Sequence, residues 1–499
     1  MKRRAFISVY DKAGLEDFAR NLSEKFEYEI VAGNDTYEVL KEAGIDAINV
    51  GDFSQGNGFL VKDYDCLNET IFASILADSS DSMELNDLER AVVKTFDMVV
   101  VNLRPIDEII QNPTDEALSK IDVAGLAVLR AAAKNYKHVT VITDKVDYYV
   151  ALNANDFGRM KLALKAFNFT SHYDRQICAK LAEELGEKPF KTLNFEKLKD
   201  LKYGENPHQK ASIYKTDKMV DYEVLNGKEL SYNNILNVTE AVNIVSEFYD
   251  VNAVAIIRHN KPCGVALGRS LYEAYTKAFD CDPISSFYGV VGFSKTVDVE
   301  VAKHLNSMAV EVVAAPDFEP KAVELFEDNP EIKLVKLNTS LKDYRRLTVE
   351  EVVLTPFGAL VQDRNNSELN KEMFKVVTKE KPTAEQIEDA IFAWKTVKHA
   401  KTNSAVIAKD FKTSAIAQGQ TNAVSAVESA LNYACDNSKD AVLASDAVLT
   451  SEECIFSAVQ GRIGLIIQPG GSIKDQKLIE VCNKYGIPMI TTGIRNYRQ

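Results

Sequence analysis

Short apolar runs and amphipathic stretches alternate along almost the whole chain, and this rhythm limits the possible folds more than any other feature. Strands are predicted over Ala5–Tyr10, Glu29–Ala32 and Ala47–Val50, with helices over Ala13–Leu22 and Thr36–Ala43 between them. Met98–Leu103 reads as a buried strand, Val123–Ala133 as a helix and Val139–Thr143 as another strand. Repeated βα units imply an α/β fold with a mainly parallel sheet covered by helices. A long helical stretch over Arg159–Leu185 closes this region, and the polar segment Gly186–Lys202 reads as a linker. The rhythm then restarts at Ala253–Ile257, Gly289–Phe293 and Val310–Ala314. A charged stretch, Asp317–Arg346, interrupts it, and it resumes at Ala405–Ala408, Ala415–Ala417, Val442–Ala444 and Leu465–Ile467. Two domains are expected, 1–190 and 200–499, the second built of two similar α/β layers.

A chain of 499 residues is too long for one ordinary core. Its net charge of −14 argues against a nucleic-acid partner, while leaving room for an anionic ligand in a locally basic pocket. Seven scattered cysteines (Cys66, Cys178, Cys263, Cys281, Cys435, Cys454 and Cys482) form no close pairs, which fits reduced thiols in a cytoplasmic protein. The start, MKRRAFISVYDK, has too short an apolar run for a signal peptide, and no stretch approaches the length of a membrane span.

Five segments carry chemistry. LKYGENPHQ, Leu201–Gln209, is an irregular loop that offers Lys202, Tyr203 and His208 to an anion, or is a plain surface turn. Arg258-His259-Asn260-Lys261-Pro262-Cys263-Gly264 follows an apolar strand. Ligands collect at the strand ends of parallel sheets, and His259 is a candidate acid–base group there, set against the commoner structural histidine. Pro262-Cys263 invites a zinc-deaminase comparison, but that chemistry needs PCxxC and an upstream HxE. Ala266 holds the second cysteine position, so no catalytic metal is expected. Lys395–Asn403 (KTVKHAKTN) is a solvated helical face, or, at Asn403, a clamp for an amide or formyl group. Gln468-Pro469-Gly470-Gly471-Ser472 precedes a helix over Gln476–Tyr485 and either offers backbone N–H groups to an oxyanion or forms a tight turn. No GxGxxG and no Walker motif occurs, so dinucleotide and P-loop readings lack their signature.

The ordered segments LKYGENPHQ, IRHNKPCGVA, DPISSF, VKHAKTNSAVIA, GQTNAVSAV, VLASDA, QPGGSIKD and TTGIRNYR resemble the transformylase domain of the bifunctional AICAR transformylase/IMP cyclohydrolase family. ISVYDKAG, DMVVVNLRP and LRAAAKNYKHVTVI resemble its cyclohydrolase domain, so the likeness spans essentially the whole chain. It implies a methylglyoxal-synthase-like parallel-sheet domain first, then two cytidine-deaminase-like subdomains without zinc, in a homodimer with shared sites. The implied reaction moves a formyl group from the co-substrate 10-formyltetrahydrofolate to the 5-amino group of AICAR. That weakly nucleophilic amine needs a base and a held electrophile. The resemblance implies His259 as the base and Asn403 as the group orienting the formyl. It gives Lys202, Tyr203, His208 and Arg495 to the nucleotide and its phosphate, and a general lining role to Gln420 and Asp446.

This chain departs from the family pattern in instructive ways. Arg258 stands where the family has lysine; it stays charged, so its help is electrostatic stabilisation of an oxyanion rather than proton transfer. The aromatic segment after the SDA triplet is Val448-Leu449-Thr450-Ser451, the serine-arginine pair after GQ is Asn422-Ala423, and the histidine-rich end is Asn496-Tyr497-Arg498-Gln499. In the first domain, GRVKTLHPKIHGGIL becomes KDYDCLNETIFASIL (62–76): an arginine and a lysine become Asp63 and Asp65, a threonine Cys66, and two histidines Asn68 and Phe72. Two carboxylates in place of two cations shift each phosphate contact by several kcal/mol, at roughly 4 Å and an effective dielectric of about 20. The STGGT loop is also altered, over Val31–Thr36, and the tyrosine of NLYP is Arg104. Lys12, Asp122, Lys134 and Asn135 persist as a cyclohydrolase remnant. Three readings follow: a formyltransferase with a disabled first domain, a fully bifunctional enzyme, or a non-catalytic purine-nucleotide binder.

Overall fold

The computed structural model describes residues 3–54, 66–106, 120–187, 193, 195–216, 218–347, 350–369 and 371–499. The chain forms two units, Met1–Leu193 and Asn194–Gln499. In the first, β1 (Arg4–Val9), β2 (Glu29–Ala32), β3 (Ile48–Asn49), β4 (Met98–Asn102) and β5 (Thr140–Ile142) lie in the order β3-β2-β1-β4-β5. Every neighbouring pair is parallel. Ala5, Phe6 and Ile7 in β1 and Val99–Val101 in β4 are all buried, as a strand covered on both faces requires. The expected strand over Ala47–Val50 is shorter, because Val50 already opens a helix that runs to Ser54.

The second unit begins with an antiparallel pair, β6 (Glu196–Leu201) and β7 (Ala211–Lys215), so the second half of the expected linker is a strand. Its main sheet has twelve strands. The first six are β8 (Tyr222–Asn226), β9 (Asn252–Arg258), β10 (Lys261–Gly268), β11 (Gly289–Phe293), β12 (Val310–Ala315) and β13 (Lys333–Leu337). A separate hairpin of β14 (Glu350–Thr355) and β15 (Gly358–Asp363) intervenes. The last six are β16 (Lys375–Val376), β17 (Ala405–Lys409), β18 (Lys412–Ala417), β19 (Val442–Ser445), β20 (Leu465–Gln468) and β21 (Met489–Thr491). Their order is β16-β21-β20-β19-β17-β18-β10-β9-β11-β12-β13-β8.

Cut between β18 and β10, this sheet is two copies of one topology. β9 and β10 form an antiparallel hairpin; β11 is antiparallel to β9, β12 and β13 follow in parallel, and β8 closes the edge antiparallel. β17 and β18, then β19, β20, β21 and β16, repeat every step. The halves meet where β10 runs antiparallel to β18 at Ala266 and Lys412, and Thr413 Oγ1 bonds both the N–H and the carbonyl of Val265 (3.0 and 3.1 Å). On one face the helices Tyr232–Ser246 and Ala384–Val397 share one continuous core. The other face carries a separate core under each half.

Two expectations are corrected here. The second unit is not mainly parallel, because each half turns back through a two-residue hairpin that hydrophobic rhythm alone does not reveal. The charged stretch Asp317–Arg346 does not interrupt the fold: it supplies the helices Pro320–Glu324 and Leu341–Arg346 and β13, its apolar residues turned inward.

The helix Leu271–Phe279 lies so close to β10 that a Cβ at Gly264 would stand 2.0 Å from the Ala278 carbonyl oxygen. Gly264→Ala is therefore expected to destabilise the second unit by about 3 kcal/mol, the upper part of the usual overpacking range. Denaturant unfolding checks this, and an unshifted transition would contradict the packing described.

Candidate functional site

The helix Tyr232–Ser246 opens with a capping box between Ser231 and Asn234 and buries an apolar face that includes Ala241, Val242 and Val245. Asn233, Asn237 and Glu240 fall at i, i+4 and i+7, which puts them on one side of the helix. Each reaches a different segment. Asn233 Nδ2 donates to the Glu205 carbonyl (3.2 Å), inside the loop Leu201–Gln209. Asn237 Oδ1 accepts from the Asn260 N–H (2.5 Å). Glu240 takes the Arg498 guanidinium in a two-pronged pair, Nη1 to Oε1 at 2.5 Å and Nη2 to Oε2 at 2.6 Å. Three segments far apart in sequence thus converge along one helix face.

His259 and Asn260 are the two central residues of the β9–β10 turn, with φ of 51° and 58°. They sit at a hairpin tip rather than at the end of a parallel strand, because β9 turns back at once into β10. Two residues in the left-handed region match the twist of a two-residue hairpin. His259 is exposed, and Arg258 Nη1 donates to the Tyr288 carbonyl. Lys202 and His208 are exposed in their loop, Tyr203 is half-buried, and Lys202 Nζ stands 5.8 Å from the centre of the Tyr203 ring. Gln418 ties the hairpin to the next segment, its Nε2 donating to the Pro262 carbonyl at 2.9 Å.

Asn403 lies between the helix Ala384–Val397 and β17. Its Nδ2 donates to the Gln420 carbonyl (3.1 Å), and the Gln420 N–H donates back to the Asn403 carbonyl (3.1 Å). Asp446 is wholly buried, and its carboxylate is spent on this segment: Oδ2 accepts from Thr402 Oγ1 and Oδ1 from the Ser404 N–H at 2.6 Å. Burial pushes the Asp446 carboxyl above the usual aspartate range, against these hydrogen bonds. Arg495 is exposed, with its guanidinium 4.2 Å from the Tyr497 ring centre.

The run Lys395–Asn403 is no solvated face. Lys395 Nζ donates to the Glu247 carbonyl (2.9 Å), and buried Lys398 Nζ pairs with Glu247 Oε1 (2.9 Å). Arg345 also pairs with Glu247, and His399 Nε2 lies 3.4 Å from Oε1. The Gln468–Ser472 loop also differs from its expected use. Asp475 Oδ2 accepts from the Gly471 and Ser472 N–H groups (2.7 and 3.2 Å), so the chain's own carboxylate fills that cradle.

Sequence reasoning missed Asn233, Asn237, Glu240, Gln418 and Arg498. The signal for the first three was the polar stripe on an otherwise apolar helix. Gln418 and Arg498 had none, since they act through backbone carbonyls and one buried acid.

In the first unit, Lys12 Nζ donates to the Val9 carbonyl (3.1 Å). Asp122 caps the helix Val123–Lys134 by accepting from the Gly125 N–H (2.7 Å), and Lys134 is exposed in the last turn. Asn135 Nδ2 donates to the Ile75 and Ala77 carbonyls (2.8 and 2.9 Å). Asn68 caps the helix Glu69–Leu76 and Phe72 packs on the core. Arg104 lies 4.9 Å from the Tyr10 ring centre. Asp63 and Asp65 lie outside the described residues.

A two-unit α/β protein, with its second unit duplicated about a central hairpin seam, is the class these observations define. A family model described as "AICARFT/IMPCHase bienzyme" matches residues 132–433. Over their full lengths, "Bifunctional purine biosynthesis protein PurH" of Acetivibrio thermocellus is 40% identical over 516 residues, and its namesakes of Caldicellulosiruptor saccharolyticus and Persephonella marina are 40% identical over 518 and 529 residues. The chain belongs to the AICARFT/IMPCHase bienzyme family.

Burial alone would raise the Glu247 carboxyl, but His399, Lys398 and Arg345 together hold it well below the ordinary value of 4.5. Its stabilisation is therefore present in full above that pH and is lost as pH falls below it. Glu247→Gln should cost about 3–5 kcal/mol at neutral pH, because it leaves buried cations unpaired. It should also flatten the acid limb of the second unit's pH–stability curve. An unchanged acid limb would contradict the pairing.

Proposed function

We propose that the second unit transfers a formyl group from 10-formyltetrahydrofolate to the 5-amino group of AICAR in purine biosynthesis. The single observation that carries this reading is the convergence, along the helix Tyr232–Ser246, of the loop bearing Lys202, Tyr203 and His208, the turn bearing His259, and the C-terminal tail bearing Arg495. The amine nitrogen attacks the formyl carbon and His259 takes the proton it sheds. Arg258 steadies the negative charge on the formyl oxygen, and Asn403 orients that group. The carbon–N10 bond then breaks, N10 regains a proton, and formyl-AICAR and tetrahydrofolate leave. Lys202, Tyr203, His208 and Arg495 seat the ribotide and its phosphate, with Gln420 holding Asn403 from behind and Asp446 fixing the segment. In this reading the two halves of the second unit are cytidine-deaminase-like subdomains that work without a catalytic metal, and the first unit is methylglyoxal-synthase-like.

The first unit is read as a cyclohydrolase remnant. Asn68, Asp122 and Asn135 serve caps and a tether, and Phe72 serves packing, while the motif lysine and arginine are replaced by acids. A fully bifunctional enzyme is the second reading, favoured by full-length likeness to relatives named as bifunctional purine biosynthesis proteins. One assay separates them: purified protein with AICAR and 10-formyltetrahydrofolate, scoring formyl-AICAR and IMP separately. The account expects formyl-AICAR with little IMP. Rapid conversion of formyl-AICAR to IMP establishes the second reading. His259→Ala should lower formyl transfer by about 10²–10⁴-fold, the usual worth of a positioned base; unchanged turnover would exclude it.

A homodimer suits this site. His208, His259 and Arg495 are all exposed on the single chain. The long helix Asp156–Leu185 exposes Phe157, Met160, Leu164, Phe167, Leu181 and Leu185, a seam of alternating three- and four-residue spacing. Sedimentation should show a dimer that Leu164→Glu weakens; a monomeric wild-type protein would contradict it.

A further inference from the structure

The C-terminal tail is fastened at several points, and each fastening bears on the segment around Asn403. The Arg498 guanidinium grips Glu240 with both prongs and also donates to the His399 carbonyl (2.9 Å). The Arg498 carbonyl accepts from the Thr402 N–H (2.9 Å), and Lys401 Nζ donates to the Gln499 carbonyl (2.5 Å). Upstream, the Asn496 N–H donates to the Asp446 carbonyl (3.0 Å), and the Asp446 carboxylate holds Thr402 and Ser404. Asn403 is therefore flanked by residues whose positions the tail determines. Glu240 stands on the same helix face as Asn237, which holds the His259–Asn260 turn. One guanidinium thus links the helix that carries the His259 turn to the segment that carries Asn403, across the two halves of the sheet.

Resting on the formyl-transfer reading above, we propose that Arg498 is a positioning residue: its clasp on Glu240 sets Asn403 in register with His259. Glu240 is 1% exposed, so its carboxylate needs a fixed partner, and only a planar fork supplies two parallel bonds. The departure from the histidine-rich tail of the family becomes intelligible on this view. The cation that ends this chain is tied inward to a buried acid, while Arg495, three residues earlier, stays exposed and available to a phosphate.

The test uses the full chain in two measurements. Hydrogen exchange should be about tenfold faster at residues 401–404 and 419–420 in Arg498→Ala, with β19 unchanged, since only the local opening is loosened. In formyl transfer, Arg498→Ala should lower kcat by about 100-fold, the effect of a misplacement near 1 Å. Its KM for AICAR should stay within about threefold of wild type, because ground-state binding is untouched. Arg498→Lys should recover part of kcat, and Glu240→Gln, which preserves volume, should reproduce the loss. Because Arg498 acts through Asn403, Arg498→Ala should add no further loss to Asn403→Ala. Additive losses, or exchange at 401–404 that does not respond to Arg498→Ala or Glu240→Gln, would overturn the proposal. A wild-type protein without formyl transfer, whose exchange still responds as expected, would refute the formyl-transfer reading and leave the clasp standing.

Discussion

A carboxylate with almost no contact with water must be paired, and in this protein Glu240 is paired with a residue one place from the chain's end. Much of the second unit's organisation follows from that need. The helix carrying Glu240 must lie against the last residues, and those residues must lie along the segment that joins the helix Ala384–Val397 to β17. Asn233 and Asn237 share the helix side with Glu240, so the loop Leu201–Gln209 and the β9–β10 turn are drawn to the same place. The site is thus assembled from side chains whose own requirement is hydrogen bonding away from bulk water.

The duplication of the second unit makes its asymmetry informative. Asn237 lies six residues beyond the N-cap Ser231, and Asp389 lies six residues beyond the N-cap Thr383. Both hold the turn of the following hairpin. Asp389 accepts from the N–H groups of both Asp410 and Phe411 (3.0 and 2.9 Å). In the first half Asn237 takes only the Asn260 N–H, and the turn presents an exposed imidazole. One copy has become a tied structural corner and the other bears the candidate chemistry. The buried cluster of Glu247, Lys398, His399 and Arg345 then locks the two long helices of the shared core to each other.

Much of this was legible in the sequence. Glu29–Ala32 and Gly289–Phe293 were read at their observed bounds, because a buried strand must be apolar along its length. The loops at 202–208, 258–264 and 395–403 were singled out through motif likeness and charge. What stayed hidden shares one cause: the residues concerned use ordinary polarity in a buried setting. Lys395 and Lys398 looked like a wet helical face, since nothing local announces Glu247, about 150 residues away. β10 was lost because Pro262 and Gly264 read as turn formers, although Gly264 is there to let a helix approach. The Gly470-Gly471 loop looked like an anion cradle because the intruding Asp475 is visible only in three dimensions.

The two units now look unequal in chemistry. In the first, the family's polar positions have been turned to caps, tethers and packing; in the second, polar groups converge and several remain open. The central claim is that the ribotide belongs to the second unit, beside the helix Tyr232–Ser246. A crystal structure of the protein soaked with AICAR tests it most directly. Density for the nucleotide between His259, Asn403 and the Lys202–His208 loop is the expected result. Density for it in the first unit alone, against Lys12 and the start of the helix Asn34–Glu42, would contradict the account.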